Sequence, residues 1–290
     1  MTTTTLPPQM TRADWVLLTI PGVIWGASFF LIAEGLEVFP PQLITPMRIL
    51  FGFLALISFS ASRKPVPKEA LPKIALLGTL WMAVPLTMFP FAEQHVSSSV
   101  TGMLNGATPF FVAGVASIIA KRLPSTKQLI GLAIGFAGVI FIAVPTAQEG
   151  SNSASGVAMI FLALACYGVA LNLSVGLQRE YGALPVIVRA QAVAFVLTSP
   201  FGLASLPDAS FSWSAFTAMV VLGIGGTGIA YYMAVTLAGK VGSTRTSVTT
   251  YIMPVVALFL GVALRNEPVA LLALVGCALA LGGAYATNRA

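Results

Sequence analysis

From Asp14 to Ala286 the chain alternates long, unbroken apolar runs with short polar connections. The runs fall at 14–34, 41–61, 71–92, 97–119, 126–145, 155–176, 185–205, 213–238, 243–264 and 268–287. Each is close to the ~20 residues that a helix needs to cross bilayer hydrocarbon. Polarity does not alternate residue by residue within them, which predicts helices rather than barrel strands. A helix also satisfies its own backbone in lipid, where no water can do so. The pattern therefore predicts an all-α polytopic membrane protein with ten transmembrane helices.

The second half overlays the first. With a shift of 145 residues, eight identities recur across 96–138: Val96, Ser98, Thr101, Pro109, Leu129, Gly131, Ala133 and Gly138. Composition alone predicts roughly four. Leu77-Gly78 likewise meets Leu222-Gly223, and with a slightly shorter shift Trp25-Gly26 faces Tyr167-Gly168 and Arg48 faces Arg189. Each half holds an odd number of spans, so the second enters the membrane from the opposite side. Duplication plus odd span count predicts two inverted five-helix repeats, an architecture associated with secondary transport by alternating access.

Composition agrees: 57% of residues are hydrophobic and 8% charged, against roughly 25% charged in soluble domains. The net charge of +6 sits in the connections, which argues against nucleic acid as a partner and gives an orientation. With a cytoplasmic N-terminus, Arg12, Arg63, Lys64, Lys68, Lys73, Lys121, Arg122, Lys127, Arg179, Arg265 and Arg289 are assigned to the cytoplasmic side, and Lys240 alone to the other, beside Glu34, Glu37, Glu93, Glu149 and Asp208. Both termini are then cytoplasmic, with residues 1–13 as a tail and no cleavable leader. Cys166 and Cys277 lie within apolar runs and predict no disulfide.

Candidate chemistry is carried by the polar and aromatic residues inside the runs. Trp25, Trp81, Phe89, Tyr167, Tyr231, Tyr232 and Tyr251 can wall a cavity for a planar or apolar solute; packing or interfacial anchoring explains such rings equally well. Pro85, Pro109 and Pro254 each remove a helix hydrogen bond and predict bends or hinges. Asn105 and Asn172 are amides that need partners in hydrocarbon, from a cavity or from a neighbouring helix. Arg48 reads as a carboxylate clamp or as a side chain snorkelling to headgroups, and for Arg189 the second reading fits better. His95, at the outer end of the third run, can sense protons near neutral pH. No Asp or Glu lies deep in a run, which speaks against a proton relay of buried carboxylates. No pattern predicts a metal or cofactor. Gly131, Gly135 and Gly138, with Gly276 and Gly283, mark the fifth and tenth runs as close-packing scaffold or dimer contact, and leave the choice between monomer and weak homodimer open.

The stretch 96–144, VSSSVTGMLNGATPFFVAGVASIIAKRLPSTKQLIGLAIGFAGVIFIAV, resembles the EamA-type module of the drug/metabolite transporter superfamily. So do IPGVIWGASFF at 20–30 and PPQLITPMRILFGFLAL at 40–56, and the second half repeats the module through VGSTRTSVTTYIMPVVALFLG and NEPVALLALVGCALALGG. The resemblance implies a first repeat at 14–146, an external connection at 147–154 and a second repeat at 155–287. It also implies export of small metabolites across a bacterial-type inner membrane; within the family the chain is most similar to YddG-like aromatic amino-acid exporters. One departure is visible: the family ends its fourth and ninth spans in Gly-Glu, and here Glu267 is present in the second repeat whereas Lys121-Arg122 stand in the first. The expected cargo is an aromatic or other neutral amino acid or a similar organic compound. A nucleotide-sugar or sugar-phosphate exchanger of the same superfamily is the second reading, weakened by the scarcity of deep cations. An intramembrane serine enzyme is disfavoured, because the one histidine lies at a span end and no Gly-x-Ser-x-Gly elbow occurs.

Overall fold

A computed structural model describes residues 10–121, 125–148 and 151–289. They form consecutive helical stretches: α1 (Arg12–Leu36), α2 (Pro41–Ile57), α3 (Lys68–Ala92), α4 (Ser98–Ala120), α5 (Thr126–Gln148), α6 (Ser151–Tyr181), α7 (Ala183–Ala204), α8 (Trp213–Val241), α9 (Ser243–Arg265) and α10 (Leu271–Arg289). No strand occurs among the described residues. Seven are long and apolar enough to cross a membrane: α1, α3, α4, α6, α7, α8 and α9. The apolar parts of α2, α5 and α10 are shorter. Large apolar side chains such as Ile118, Val196, Phe201 and Phe259 face outward. Polar residues such as Thr45, Arg48, Asn105, Gln191 and Thr227 are buried. That inversion of the soluble pattern suits a solvent of lipid.

The repeat is visible in the packing. α1 lies against α8 and α9, as α6 lies against α3 and α4; α2 touches α8, as α7 touches α3; α4 pairs with α9 and α5 with α10. Exchanging each helix with its counterpart five places on maps this neighbour list onto itself. The α5–α10 contact shows the exchange at atomic level. A Cβ at Gly138 would lie 2.5 Å from the Gly276 oxygen, and one at Gly283 would lie 2.5 Å from the Gly131 oxygen. The glycines let two backbones touch, which makes this pair scaffold inside one chain.

Four helices carry local irregularities at matched places. α3 is π-helical over Thr79–Ala83 and α8 over Leu222–Ile229. α4 is interrupted at Gly106-Ala107 and restarts at Thr108-Pro109; α9 tightens to 3-10 over Ser247–Tyr251 and restarts at Met253-Pro254. Proline has no N–H and is tolerated in a first helical turn, so Pro109 and Pro254 begin new helical segments. The C-terminal ends match too: Lys121 and Asn266, 145 residues apart, both adopt left-handed backbone with φ of 50° and 52°.

Two connections differ from the charge assignment made on sequence. Lys240 pairs with Asp14 at 3.2 Å, at the starting end of α1. Arg265 binds Glu34 and Glu37 at the far end of α1, at 2.5 and 2.7 Å. Lys240 therefore belongs with the N-terminal side and Arg265 with the opposite side. Parity gives the reason: eight stretches separate Lys240 from the N-terminus and nine separate Arg265, so alternation returns only the first to the starting face. Their exchange leaves the side bias of the basic residues unchanged. Arg122 and Glu149 lie outside the described residues.

Candidate functional site

The irregular segments of α3 and α9 line one cavity, as do residues flanking those of α4 and α8, and its wall is drawn from α1, α2, α3, α4, α6, α8 and α9. Its free space is about 630 Å³ between atoms, and a water molecule's centre can move through only about 50 Å³ of that. Such a space holds a few waters, so a larger solute enters by widening it. From α1 come Trp25, Ser28, Phe29 and Ile32, one face of a helix at spacings of three and four. From α6 come Tyr167 and Leu171, the repeat counterparts of Trp25 and Phe29. Arg48, Trp81, Phe89, Asn105 and Tyr231 complete the part anticipated from sequence.

Freed carbonyls tie the rings in place. Pro85 has no N–H to offer the Trp81 carbonyl, and the Tyr231 hydroxyl donates to that oxygen instead, at 2.9 Å. Pro90 leaves the Leu86 carbonyl open, and Thr45 donates to it at 2.7 Å. Pro109 leaves the Asn105 carbonyl open, and Thr108 donates to it at 2.7 Å. In α8 the π register sends the Ala230 N–H to Gly225. The next carbonyl, Gly226, accepts from the Trp25 indole N–H at 2.9 Å. Each of these four carbonyls is thus matched by a side chain from another helix or from the same turn, as a low-dielectric interior requires. The rings also contact one another. Trp25 and Trp81 flank Tyr231 with centroids 5.3 and 5.1 Å away, and Phe89 lies between Phe29 and Tyr167 at 5.5 and 6.0 Å.

Two polar groups on this wall stand apart, one for its charge and one for an unpaired atom. Arg48 is 2% exposed. Its Nε donates to the Thr227 hydroxyl at 2.9 Å, and among the described residues it forms no ion pair. Among the described residues the buried Asn105 side-chain nitrogen has no acceptor, while its oxygen takes a bond from Thr108 at 3.0 Å. A buried guanidinium and a buried amide donor, set among aromatic rings, can hold a carboxylate and an apolar body together.

Several candidates stand elsewhere. Asn172 does not line the cavity: it donates to the Val112 and Gly168 carbonyls and accepts from Ser243, a helix-to-helix link that uses both ends of its amide. Tyr232 and Tyr251 are also off the wall; Tyr232 follows Tyr231 by about 100° of helical turn, so only one of the two faces inward. Arg189 donates to the carbonyls of Ser62, Lys64 and Pro185 and fastens the α2–α3 connection, a role within the protein rather than the snorkelling to headgroups expected from sequence. His95 is exposed beyond α3, and its carbonyl accepts from Ser153. No cluster of metal-ligating side chains occurs among the described residues. Sequence reasoning missed Ser28, Phe29, Ile32 and Thr108; the helical spacing from Trp25 was the signal for the first three.

Glu267 has a defined task. Its carboxylate accepts from the backbone N–H and hydroxyl of both Ser98 and Ser99, at 2.6 to 3.1 Å. It thereby caps the start of α4 from the α9–α10 connection. Burial pushes its pKa upward, but these four bonds outweigh that and hold it below the ordinary glutamate value.

The profile of the EamA-like transporter family matches residues 15–144 and again 154–289. An "uncharacterized transporter" of Archaeoglobus fulgidus is 23% identical over 95% of this chain and 98% of its own length. The "uncharacterized inner membrane transporter YedA" of Escherichia coli K12 is 29% identical over 84% and 80%. A "probable terminal-alkyne amino-acid exporter" of Streptantibioticus cattleyicolor is 25% identical over 97% and 95%. One crystal structure, 20% identical, superposes with a TM-score of 0.69 over 96% of this chain and 98% of that one, and shares the fold.

Proposed function

Because this chain belongs to the EamA-like transporter family of the drug/metabolite transporter superfamily, and is thus a multi-pass membrane transporter, we propose that its cavity carries small carboxylate-bearing molecules with an aromatic or apolar side group. Neutral and aromatic amino acids are the leading cargo. The observation that carries this reading is Arg48, a buried guanidinium without an acidic partner among the described residues, in a wall of aromatic rings. The amino-acid exporter among the relatives supports the same class. The direction is export across a bacterial inner membrane, the location named for the Escherichia coli relative. All ten helical stretches cross the membrane in this reading, with both termini cytoplasmic and the halves as inverted repeats. Alternating access then follows from rocking one half against the other about the irregular segments near Pro85, Pro109 and Pro254.

A phosphate-bearing cargo ranks second. It calls for several cations on the wall, and Arg48 is the one that the described residues provide. Family and relatives speak for transport rather than catalysis.

Counterflow in proteoliposomes tests the cargo class. Vesicles preloaded with L-tryptophan or L-phenylalanine are expected to exchange labelled amino acid, whereas tryptamine and phenethylamine, which lack the carboxylate, are expected to exchange poorly. Arg48→Gln should weaken the amino-acid exchange about 10- to 100-fold in half-saturation, the worth of a charge-assisted hydrogen-bond pair. Equal exchange of amine and amino acid would remove Arg48 from the proposed role.

A further inference from the structure

Glu93 follows the last residue of α3 by one position, and its N–H still bonds to the Phe89 carbonyl at 2.9 Å. The helical turn therefore extends to it and places it one turn beyond Phe89, which lines the cavity; Glu93 itself is not on that wall. Both of its carboxylate oxygens are buried, and neither has a hydrogen-bond partner among the described residues. Sequence position alone makes Glu93 a solvated loop acid; the fold encloses it. Three charged groups act on it: Arg48 from α2, Arg265 from the end of α9, and Glu267 from the connection after α9. Arg265 is already engaged by Glu34 and Glu37 of α1, and Glu267 repels it. Tyr167 of α6 shares the Arg48 field, and His95 lies two residues on and is exposed. Arg48 is thus the available counter-charge.

Arg48 on the cavity wall is buried, and so are the carboxylate oxygens of Glu93, one turn past Phe89 of that wall; among the described residues neither forms an ion pair. An unpartnered buried carboxylate is costly to ionise, so the acid holds its proton in this arrangement. Burial first, and then the Glu267 charge, drive its pKa well above the ordinary glutamate value, with Arg48 and Arg265 opposing.

We infer that Glu93 is a proton-binding switch of the transport cycle, exchanging its proton for an ion pair with Arg48. The link to cargo rests on the carboxylate role of Arg48 proposed above. Above the Glu93 midpoint, with no cargo on the guanidinium, the carboxyl releases its proton to water and pairs with the guanidinium; the protonated, unpaired arrangement is the state below that midpoint. When a cargo carboxylate takes the guanidinium, the displaced Glu93 anion recovers one proton from water. Cargo binding is therefore accompanied by proton uptake, and cargo affinity falls about tenfold per pH unit above the Glu93 midpoint.

Infrared difference spectroscopy of the purified full-length protein, stepped from about pH 5 to about pH 9, reads the acid without any cargo. The expected result is a protonated-carboxyl band that persists above the ordinary glutamate range, is lost as pH rises, and is absent in Glu93→Gln, a near-isosteric change. Arg48→Gln should move the midpoint to higher pH, because the stabilising charge is gone, and Arg48→Lys should move it much less. Absence of a titrating band assigned to Glu93, or a midpoint indifferent to Arg48→Gln, overturns the inference. A second measurement adds L-tryptophan in weak buffer with a pH-indicating dye. Proton uptake in the wild type that disappears in Glu93→Gln supports the link to cargo; uptake that persists in Glu93→Gln overturns it. If the band titrates as expected while L-tryptophan fails to bind at any pH, the carboxylate reading of the cavity falls and the proton site stands.

Discussion

At the scale of single residues, the cavity wall is built from side chains that each have a structural debt as well as a face toward the solute. Trp25 illustrates both. Its ring lines the cavity against Tyr231, and its indole N–H satisfies the Gly226 carbonyl that the α8 π register leaves open. Trp25→Phe keeps a ring there but strands that carbonyl, at a cost of about 1–3 kcal/mol. Thermal unfolding in detergent should show the loss, and addition of cargo should recover only part of it. An unchanged midpoint would mean that Gly226 finds another donor. Trp25, Arg48 and Trp81 were recognisable in the sequence because a polar edge or charge inside a long apolar run needs an explanation. Asn172 raised the same question and has a different answer, since its partners Val112 and Ser243 lie 60 and 71 residues away along the chain. Glu93 was assigned only to a connection on the outer side, since nothing in the sequence beside a span end marks it; the packing of neighbouring elements buries its carboxylate oxygens.

At the scale of elements, four of the seven helices that wall the cavity carry irregular segments, α3, α4, α8 and α9, whereas α1, α2 and α6 pass it unbroken. Pro85, Pro109 and Pro254 announced breaks in α3, α4 and α9. The π segment of α8 had no such marker: its run Leu222–Ile229 contains no proline, and its register is held by contacts from α1, α2 and α7 through Trp25, Arg48 and Gln191. Elements also hold one another by their ends. Glu267 caps α4 across the repeat boundary, so the stability it contributes depends on its charge. Because its pKa is lower folded than unfolded, that contribution is fully present above about pH 4.3, the ordinary glutamate value, and is lost as pH falls through the depressed folded value. Glu267→Ala should therefore lower the unfolding temperature at neutral pH, and the gap to wild type should narrow on acidification below about pH 4. A gap independent of pH would show that the variant acts by lost packing rather than by lost charge.

At the scale of the whole molecule, two ionic ties at opposite ends of α1 fix which connections share a face. Asp14 and Lys240 mark one end; Glu34, Glu37 and Arg265 mark the other. The repeat itself was legible, because Pro109 and Pro254 or Gly138 and Gly283 keep one spacing through a duplicated packing scheme. The side of an individual connection was less so: a single charged residue carries no parity, and only the count of helices before it does. Positive residues at 63, 64, 68, 73 and 179 fall on the face of Lys240, and this is the face expected to be cytoplasmic. Cysteines placed at Lys240 and at Glu37, whose side chains are 49% and 60% exposed, test this against a membrane-impermeant thiol reagent in intact cells. The native Cys166 and Cys277 are buried, so background labelling should be low. Position 37 is expected to react from outside, and position 240 only after the membrane is opened, together with a cysteine at Arg63. Reaction of both 37 and 240 from the same side would break the alternation of α1 through α8. The inverted relation of the halves depends on that alternation, and so does a cavity that opens to one face as it closes to the other.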